Sequence, residues 1–252
     1  LNGSFISAPG GFTGSGNFNG LAPGAAPSTG IRVGIDTATA GHKEGNVLVN
    51  FVSDGTTIVG DGTITDLGNT SVAVQGNVYR LANPTLNTPT VTIAARVGDV
   101  AAVNTAVSIT NTSPDIYTEG LKVNVTGTSG NAQSNSGSIT NLVAQGTNNS
   151  TILVGLNSTA TPGLTSGTVN LNFISAGAGT TGAADTAAQT PSGAVTVNGK
   201  VYTPAVASLS GAIDFGIVHV GDSVSTQQLT VQNAAAVTAL NDVLQGTLTV
   251  SG

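Results

Sequence analysis

The chain has very little charge and lacks three residue types entirely. Of its 252 residues, 7% are Asp, Glu, Lys or Arg, and Cys, Met and Trp are absent. Without Cys there is no disulfide and no thiol nucleophile, so the redox compartment cannot be read from the sequence. Met is missing even at position 1, where Leu1 stands, and we therefore expect a processed chain or a piece of a longer one.

The scarcity of basic residues and of long apolar runs excludes two classes of partner. The chain has six Lys and Arg against twelve Asp and Glu, a net charge of −6. Nucleic-acid binding depends on clustered basic side chains, so no nucleic-acid partner is expected. A membrane helix needs roughly 18 to 20 apolar residues in a row, which the chain does not contain. We expect no membrane span in this chain.

Short alternating segments are the main structural signal. Hydrophobic residues make up 39% of the chain, enough to predict a folded protein. Their alternation with polar residues, between Gly-, Asn- and Ser-rich turns, predicts an all-β fold of half-buried strands. The segments are Val47–Phe51, Val72–Val74, Val91–Ile93, Val107–Ile109, Leu121–Val125 and Leu229–Val231. Ala234–Leu240 is compatible with either a short helix or a linker.

The sequence also repeats itself. Four pairs of similar segments have nearly constant separations of 121 (152 minus 31), 122 (171 minus 49) and 123 (199 minus 76, and 220 minus 97). They are Ile31–Ile35 with Ile152–Leu156, Val49–Ser53 with Leu171–Ser175, Gly76–Tyr79 with Gly199–Tyr202, and Val97–Asp99 with Val220–Asp222. Because the separation changes by only two residues along the chain, the pairs indicate a tandem repeat of about 122 residues with small loop insertions.

Two of these regions are similar to a known family. Ser210–Asp222, followed by Leu229–Asn233, resembles the bacterial choice-of-anchor D family, whose members carry an FG-x-V-x-VG strand and then an L-x-V-x-N strand. The resemblance extends to Tyr117–Leu121, Val33–Gly41, Ser53–Gly55 and Val78–Ala82, whereas Val91–Val100 lacks the Phe-Gly pair. It implies immunoglobulin-like β-sandwiches in an exported, repeat-built surface or extracellular protein.

The repeat is out of phase with the chain. If a unit opens just before the Ile213 strand, residues 86–202 form one complete antiparallel sandwich, which we expect to fold on its own. Residues 1–81 are then a sandwich without its opening strands, and residues 203–252 are opening strands without a sandwich. The alternation predicts these inward-facing residues in the complete unit: Val107, Ile109, Val123, Val125, Ile152, Val154, Leu171 and Phe173.

Complementary ends suggest a structural role. Unpaired edges and uncovered apolar faces are normally avoided, so the sequence predicts an extracellular fibre, matrix or surface-layer subunit that polymerises with copies of itself, head to tail. The expected contact residues are Ile213, Phe215, Val218, Val220, Leu229 and Val231. Two alternatives stay open: a segment of one long continuous array, and a stalk or adhesive, carbohydrate-binding module of such an array.

The sequence gives little support for a catalytic site. His42 and His219 are the only histidines, and His219 lies near Asp214 and Asp222 in an alternating segment. A Ser-His-Asp triad needs a histidine held by an acid and touching a nucleophile. The counterpart of His219 in the first copy is Arg96, which suggests an outward-facing strand position. We expect no enzyme activity and no cofactor.

The acidic residues Asp54, Asp61 and Asp66 offer the one potential cation site. Their oxygens suit calcium, but their spacing fits neither an EF-hand nor a nonapeptide repeat. Asp-Gly pairs are typical of turns, so no metal is assigned, and weak calcium binding stays an open alternative. Several Asn-x-Ser/Thr triplets also leave glycosylation open.

Overall fold

The fold was described from a computed structural model of the chain, for residues 1–56 and 62–249. It is nearly all β. The N-terminal part contains β1 (Asn2–Ser7), β2 (Phe12–Ser15), β3 (Asn17–Phe18), β4 (Arg32–Ile35), β5 (Gly41–Asp54) and β6 (Ile64–Val78). The central part begins with β7 (Pro84–Leu86), β8 (Thr90–Arg96), β9 (Val103–Ala106), β10 (Ile109–Asn111), β11 (Gly120–Gly130), β12 (Ala132–Ser134) and β13 (Ser138–Leu142). It continues with β14 (Thr147–Asn148), β15 (Leu153–Leu156), β16 (Gly163–Ala176), the helical turn α1 (Gly177–Thr180) and β17 (Thr186–Tyr202). β18 (Ala207–Leu209) and β19 (Val231–Asn233) follow.

The N-terminal part is built on a long hairpin. β5 and β6 pair from Gly41↔Val78 to Asp54↔Ile64, and the sheet order is β3-β1-β5-β6. Alternation along β5 buries Val47 and Val49, as a strand with one covered face requires. A separate two-stranded sheet joins β2 to β4.

The central part is a β-sandwich with a continuous core. A five-stranded sheet, β13-β11-β16-β17-β8, faces the three-stranded sheets β14-β10-β7 and β12-β15-β9 across the core. Seven of the eight predicted inward residues are buried in that core, and Val125 is partly buried against it, so the predicted orientation is confirmed. The core includes Ala82, slightly before the predicted boundary at residue 86.

One strand corrects the expectation of a purely antiparallel sandwich. β8 pairs in parallel with β17, from Thr90↔Thr196 to Arg96↔Tyr202. Alternation reports which side chains face the core but not the direction in which a strand runs. The parallel pair therefore could not be read from the pattern.

After Tyr202 the chain has little regular structure. β18 and β19 form a two-stranded sheet, and the predicted strand around Ile213–Val220 is absent. At this place the Asp214 carboxylate accepts a hydrogen bond from Gly216 N at 2.8 Å, and Gly216 has φ +66°. Such a turn forms locally without a partner strand, and a lone strand has no partner for its ladder hydrogen bonds.

Two smaller expectations also change. Of the predicted strand Leu229–Val231, only Val231 is in a strand. The helical alternative for Ala234–Leu240 is wrong, because side chains hold this segment in turns. Thr238 N donates to Asn241 Oδ1 at 2.6 Å, and Asn241 Nδ2 donates to Ala236 O at 2.9 Å. Across the described ranges, no helix has the length and apolar character needed to cross a bilayer.

We predict that Asn111→Ala is strongly destabilising. The buried Asn111 side chain donates to Glu119 O at 2.9 Å and Leu142 O at 3.0 Å, and accepts from Asn83 N at 3.1 Å. Removing the amide leaves these backbone groups without partners, at a cost of about 2–4 kcal/mol. Chemical denaturation measures the loss. The exposed Asn87 is the matched control, and its replacement by Ala is expected to cost less than about 1 kcal/mol. Equal losses would contradict the prediction.

Candidate functional site

Apolar side chains are exposed in the N-terminal part at positions that are buried in the central sandwich. Val33 on β4 is 44% exposed, and the residue 121 positions later, Val154, is fully buried. Val72 on β6 is 50% exposed, and the residue 123 positions later, Val195, is fully buried. We call the surface formed by Val33, Ile35 and Val72 the acceptor face.

The two parts differ, among the residues that the structure describes, in the strands that flank these positions. In the central sandwich, β17 is covered at its outer edge by β8, and β15 by β9. In the N-terminal part, β6 is the last strand of its sheet, and β4 pairs with β2 alone. Within residues 1–56 and 62–249, no strand pairs with the outer edge of β6. The acceptor face thus lies beside an open sheet edge, which is a template for another strand.

Residues 203–249, here called the donor segment, also have exposed apolar side chains. None of them is buried. Each of the predicted contact residues is at least 40% exposed, and Val220 is entirely exposed. These residues are Ile213, Phe215, Val218, Val220, Leu229 and Val231. Exposed apolar side chains in this number are typical of an interaction surface.

An apolar groove runs along the donor segment. Its volume is ≈ 950 Å³, and its apolar lining includes Leu209, Leu229, Val231, Leu244 and Leu248, besides Ala207 and Val243. At separations of 122 or 123 the corresponding central residues are Leu86, Val107, Ile109, Leu121 and Val125, all of which belong to or pack against the central core. Five of the apolar residues that line the groove therefore lie at the repeat separation from residues of the central core or residues packed against it.

The backbone of the donor segment is arranged like the opening of the central sandwich. Leu209 pairs with Val231 as Leu86 pairs with Ile109. Asn233 donates to Asp242 O at 3.2 Å and accepts from Val206 N at 3.0 Å, as Asn111 does with Glu119 and Asn83. The segment has thus formed its local contacts without burying its apolar side chains.

Two ion pairs join the three parts of the chain. Arg80, just after β6, pairs with Asp115 of the central sandwich at 2.6 Å and holds the pKa of that carboxyl below its usual range. Arg96 pairs with Asp242 of the donor segment, which raises the pKa of the guanidinium. In a chain with six cations, these pairings are a signal that sequence reasoning missed.

The acceptor face was also missed. Comparing each strand with its partner at the repeat separation identifies Val33, Ile35 and Val72, because their counterparts are core residues. The pattern of one strand cannot show this, since a side chain directed toward a core looks the same whether or not the core is complete.

His219 is not part of a triad arrangement. Its side chain is 91% exposed, and its Nδ1 lies 3.3 Å from Asp222 Oδ2. The second candidate acid, Asp214, accepts from Gly216 N. His219 lies in a turn and not in the predicted strand: its N donates to Asp222 Oδ2 at 2.8 Å, as Arg96 N does to Asp99 Oδ2 at 2.7 Å. The other histidine, His42, lies on β5 between Asn77 and Glu44, whose hydrogen bonds raise its pKa.

We predict that His219→Ala leaves stability almost unchanged, by less than about 0.5 kcal/mol, because the ring is exposed and only its backbone N is needed for the turn. Asp222→Ala removes the acceptor of that turn and is the informative comparison. Thermal unfolding of the two variants tests this order. A larger loss for His219→Ala would show that the imidazole has a role of its own.

The acidic residues considered for calcium serve local turns. Asp54 accepts from Thr56 N at 3.0 Å and from Asn2 Nδ2 at 3.0 Å, and Asp66 accepts from Gly68 N at 2.9 Å. Hydrogen bonds from Thr56 and from Gly68, respectively, lower the pKa of these carboxyls. Asp61 lies outside the described residues. Among those described, no three His, Asp or Glu side chains are grouped to hold a metal ion.

The chain matches no known protein-family model and no curated protein sequence. Among solved structures it is similar to a protein of unknown function from Porphyromonas gingivalis W83, with 9% identity, a TM-score of 0.27, and coverage of 79% of this chain and 84% of that one. It is also similar to two endo-fucoidan hydrolases of glycoside hydrolase family 107. One has 14% identity, a TM-score of 0.23 and coverage of 77% and 24%. The other has 13% identity, a TM-score of 0.22 and coverage of 76% and 28%.

Proposed function

We propose that the protein is a structural subunit of an extracellular fibre, matrix or surface layer that joins copies of itself head to tail. In this proposal the donor segment of one copy completes the sandwich formed by the N-terminal part of the next. One observation carries it: positions that are buried in the central sandwich are exposed in both terminal parts, and the donor segment contains β18 and β19, the counterparts of β7 and β10, which the described residues of the N-terminal part lack.

The proposal treats the chain as tandem immunoglobulin-like units of about 122 residues. Strand neighbours support this phasing. β5 lies between β1 and β6, as β16 lies between β11 and β17. The registers agree as well: Ser4 is opposite Asn50, and Asn124 is opposite Asn172. The strand pair β2–β4 has its counterpart in β12–β15.

The surface area supports an interface that is empty in the single chain. A compact monomer of 24.5 kDa exposes about 10,000 Å² by the usual scaling with mass. This chain exposes 15043 Å², an excess of about 5,000 Å² over that scaling. Obligate interfaces bury roughly 2,000–5,000 Å² in total, so a joint of this kind has the right size to account for much of the excess.

The geometry of such a joint follows the central sandwich. Residues 213–219 of the donor would run parallel to β6, as β8 runs parallel to β17. Main-chain hydrogen bonds along the added strand would supply order, while Phe215, Val220 and Val231 would cover the acceptor face. Because donor and acceptor are different surfaces, the contact is heterologous and produces an open filament unless a ring closes.

The extracellular setting rests on the resemblance to exported repeat proteins and on composition. Only 7% of residues are charged, so neighbouring copies meet with little electrostatic repulsion and little cost of desolvating charges. The exposed apolar side chains of the acceptor face and the donor segment would also favour association of the free chain at high concentration.

The test is the size distribution of the purified full chain at increasing concentration. Sedimentation velocity is expected to show a ladder of oligomers, and negative-stain images are expected to show filaments of uniform width. Val237, exposed in the donor segment but outside the groove, supplies a control: Val237→Asp should still form filaments. A chain that stays monomeric throughout would contradict the proposal and favour a module of a continuous array.

A further inference from the structure

We infer that β1 is a resident strand that the donor segment displaces when two copies join. The inference rests on the proposed head-to-tail contact and identifies what is exchanged in it. Its basis is that two segments of the same chain, β1 and residues 244–248, have the sequence and the register for one place, the edge of β5.

The first step is the place that β1 occupies. It pairs with β5 through Gly3↔Phe51 and Ser4↔Asn50. In the central sandwich this edge belongs to β11, through Val123↔Phe173 and Asn124↔Asn172. Glu119, the residue before β11, donates a hydrogen bond from its N to Arg80 O at 2.9 Å. This contact marks the point at which the chain, coming from β10, enters β11.

The second step is that the donor segment approaches the same edge. Asp242 N donates to Thr203 O at 2.9 Å, which repeats the Glu119 contact 123 residues later. The residues that follow, 244–248, therefore correspond to 121–125 of β11. When the donor covers the acceptor face, they arrive beside β5, where β1 already lies.

The third step is the sequence of the arriving strand. Residues 244–248 read Leu-Gln-Gly-Thr-Leu and residues 1–5 read Leu-Asn-Gly-Ser-Phe, whereas residues 121–125 read Leu-Lys-Val-Asn-Val. Residues 244–248 thus match residues 1–5 in having glycine at the central position, where residues 121–125 have valine.

The glycine is explained by the acceptor. A Cβ on Gly3 would lie 2.3 Å from the ring of Phe18, which packs on Phe51 at 6.3 Å between centroids. Gly246 has no heavy atom within 4 Å of such a Cβ in the free chain, so nothing there requires glycine. Phe18 lies on β3, which pairs with the other edge of β1 and has Phe18 opposite Gly3. If β3 pairs with the arriving residues in place of β1, Gly246 opposite Phe51 would meet the Phe18 ring as Gly3 does. Its identity therefore fits the place that β1 occupies.

A disulfide lock tests the displacement directly, because the chain has no native Cys. Ser4 and Asn50 are opposite one another in an antiparallel pair, a separation that a disulfide can bridge. We expect oxidised Ser4→Cys/Asn50→Cys chains to lose assembly and to regain it after reduction. The matched control, Asn46→Cys/Ala73→Cys, locks β5 to β6 and should assemble in both states.

Three further variants and one control, Thr247→Val, locate the exchange. Asn50→Cys with Thr247→Cys should give a ladder of disulfide-linked chains on a denaturing gel. Gly246→Val should slow assembly about tenfold or more, as overpacking does, while Thr247→Val, on the other face, should not. Asn2→Ala removes the Asp54 and Gly20 hydrogen bonds that hold β1 and should speed assembly.

The outcomes separate this inference from the function on which it rests. Locked chains that assemble as fast as reduced ones would show that β1 stays in place, which overturns the inference and leaves head-to-tail joining intact. Full chains that never assemble, locked or not, would overturn the proposed function and the exchange together. An unaffected Gly246→Val rate would also contradict the exchange.

Discussion

Removing residues 203–252 is expected to abolish filaments completely while the central sandwich stays folded. The core of that sandwich consists of residues between Ala82 and Val201, and no donor-segment residue is buried in it. The truncation therefore removes the predicted joining surface at little cost to the core. The ion pair between Arg96 and Asp242 would be lost, and pairs of this kind at the surface contribute little to stability.

Two measurements check this. Far-UV circular dichroism and chemical denaturation should show a β-rich chain with a cooperative transition, and sedimentation velocity should show monomers alone. Adding the removed segment as a separate peptide should cap acceptor faces of the full-length chain and shorten its filaments. Filaments of unchanged width from the truncated chain would show that joining uses another surface.

The alternation of apolar and polar residues predicted those strands whose apolar faces are covered within the chain. β5, β11 and β16 have their partners within the chain, and the predicted inward residues of the central sandwich lie in its core. Periodicity succeeds there because each apolar face is covered in the same chain.

The same reasoning was wrong where a covering partner is missing. Residues 213–220 have strand-like alternation, yet they form no regular secondary structure, because a strand needs a ladder of hydrogen bonds and no strand among the described residues pairs with them. The predicted strand Val72–Val74 is present as part of β6, although the Val72 side chain is half exposed. A local pattern predicts which side chains would face a covering sheet, but it does not show whether that sheet is present.

The candidate site could be predicted only in part for a related reason. The repeat separation identifies which residues correspond, so Val231 is recognisable as a counterpart of Ile109. It does not reveal that β8 runs parallel to β17, nor that the Phe18 ring lies where a side chain at position 3 would begin. Both facts depend on contacts between residues distant in sequence, and only the three-dimensional structure contains them.

The second large effect is expected from two charge substitutions that block opposite ends of the joint. Val231→Asp disables the donor, because its counterpart Ile109 is fully buried. Val72→Asp disables the acceptor, because its counterpart Val195 is fully buried. Both valines are at least half exposed in the free chain, so each variant should fold normally. In a completed sandwich, each would bury an unpaired carboxylate at a cost of several kcal/mol.

Each variant alone should therefore remain monomeric, and an equimolar mixture should form dimers and nothing larger. The intact donor segment of the Val72→Asp chain can enter the intact acceptor of the Val231→Asp chain, but the two remaining ends are both blocked. Ser71→Asp and Val237→Asp, at exposed positions nearby, are the controls and should still form filaments. Sedimentation velocity distinguishes the results, since only a heterologous contact gives a dimer that stops growing. A mixture that stays monomeric, or a single variant that dimerises alone, would mean that the joint is not donor to acceptor.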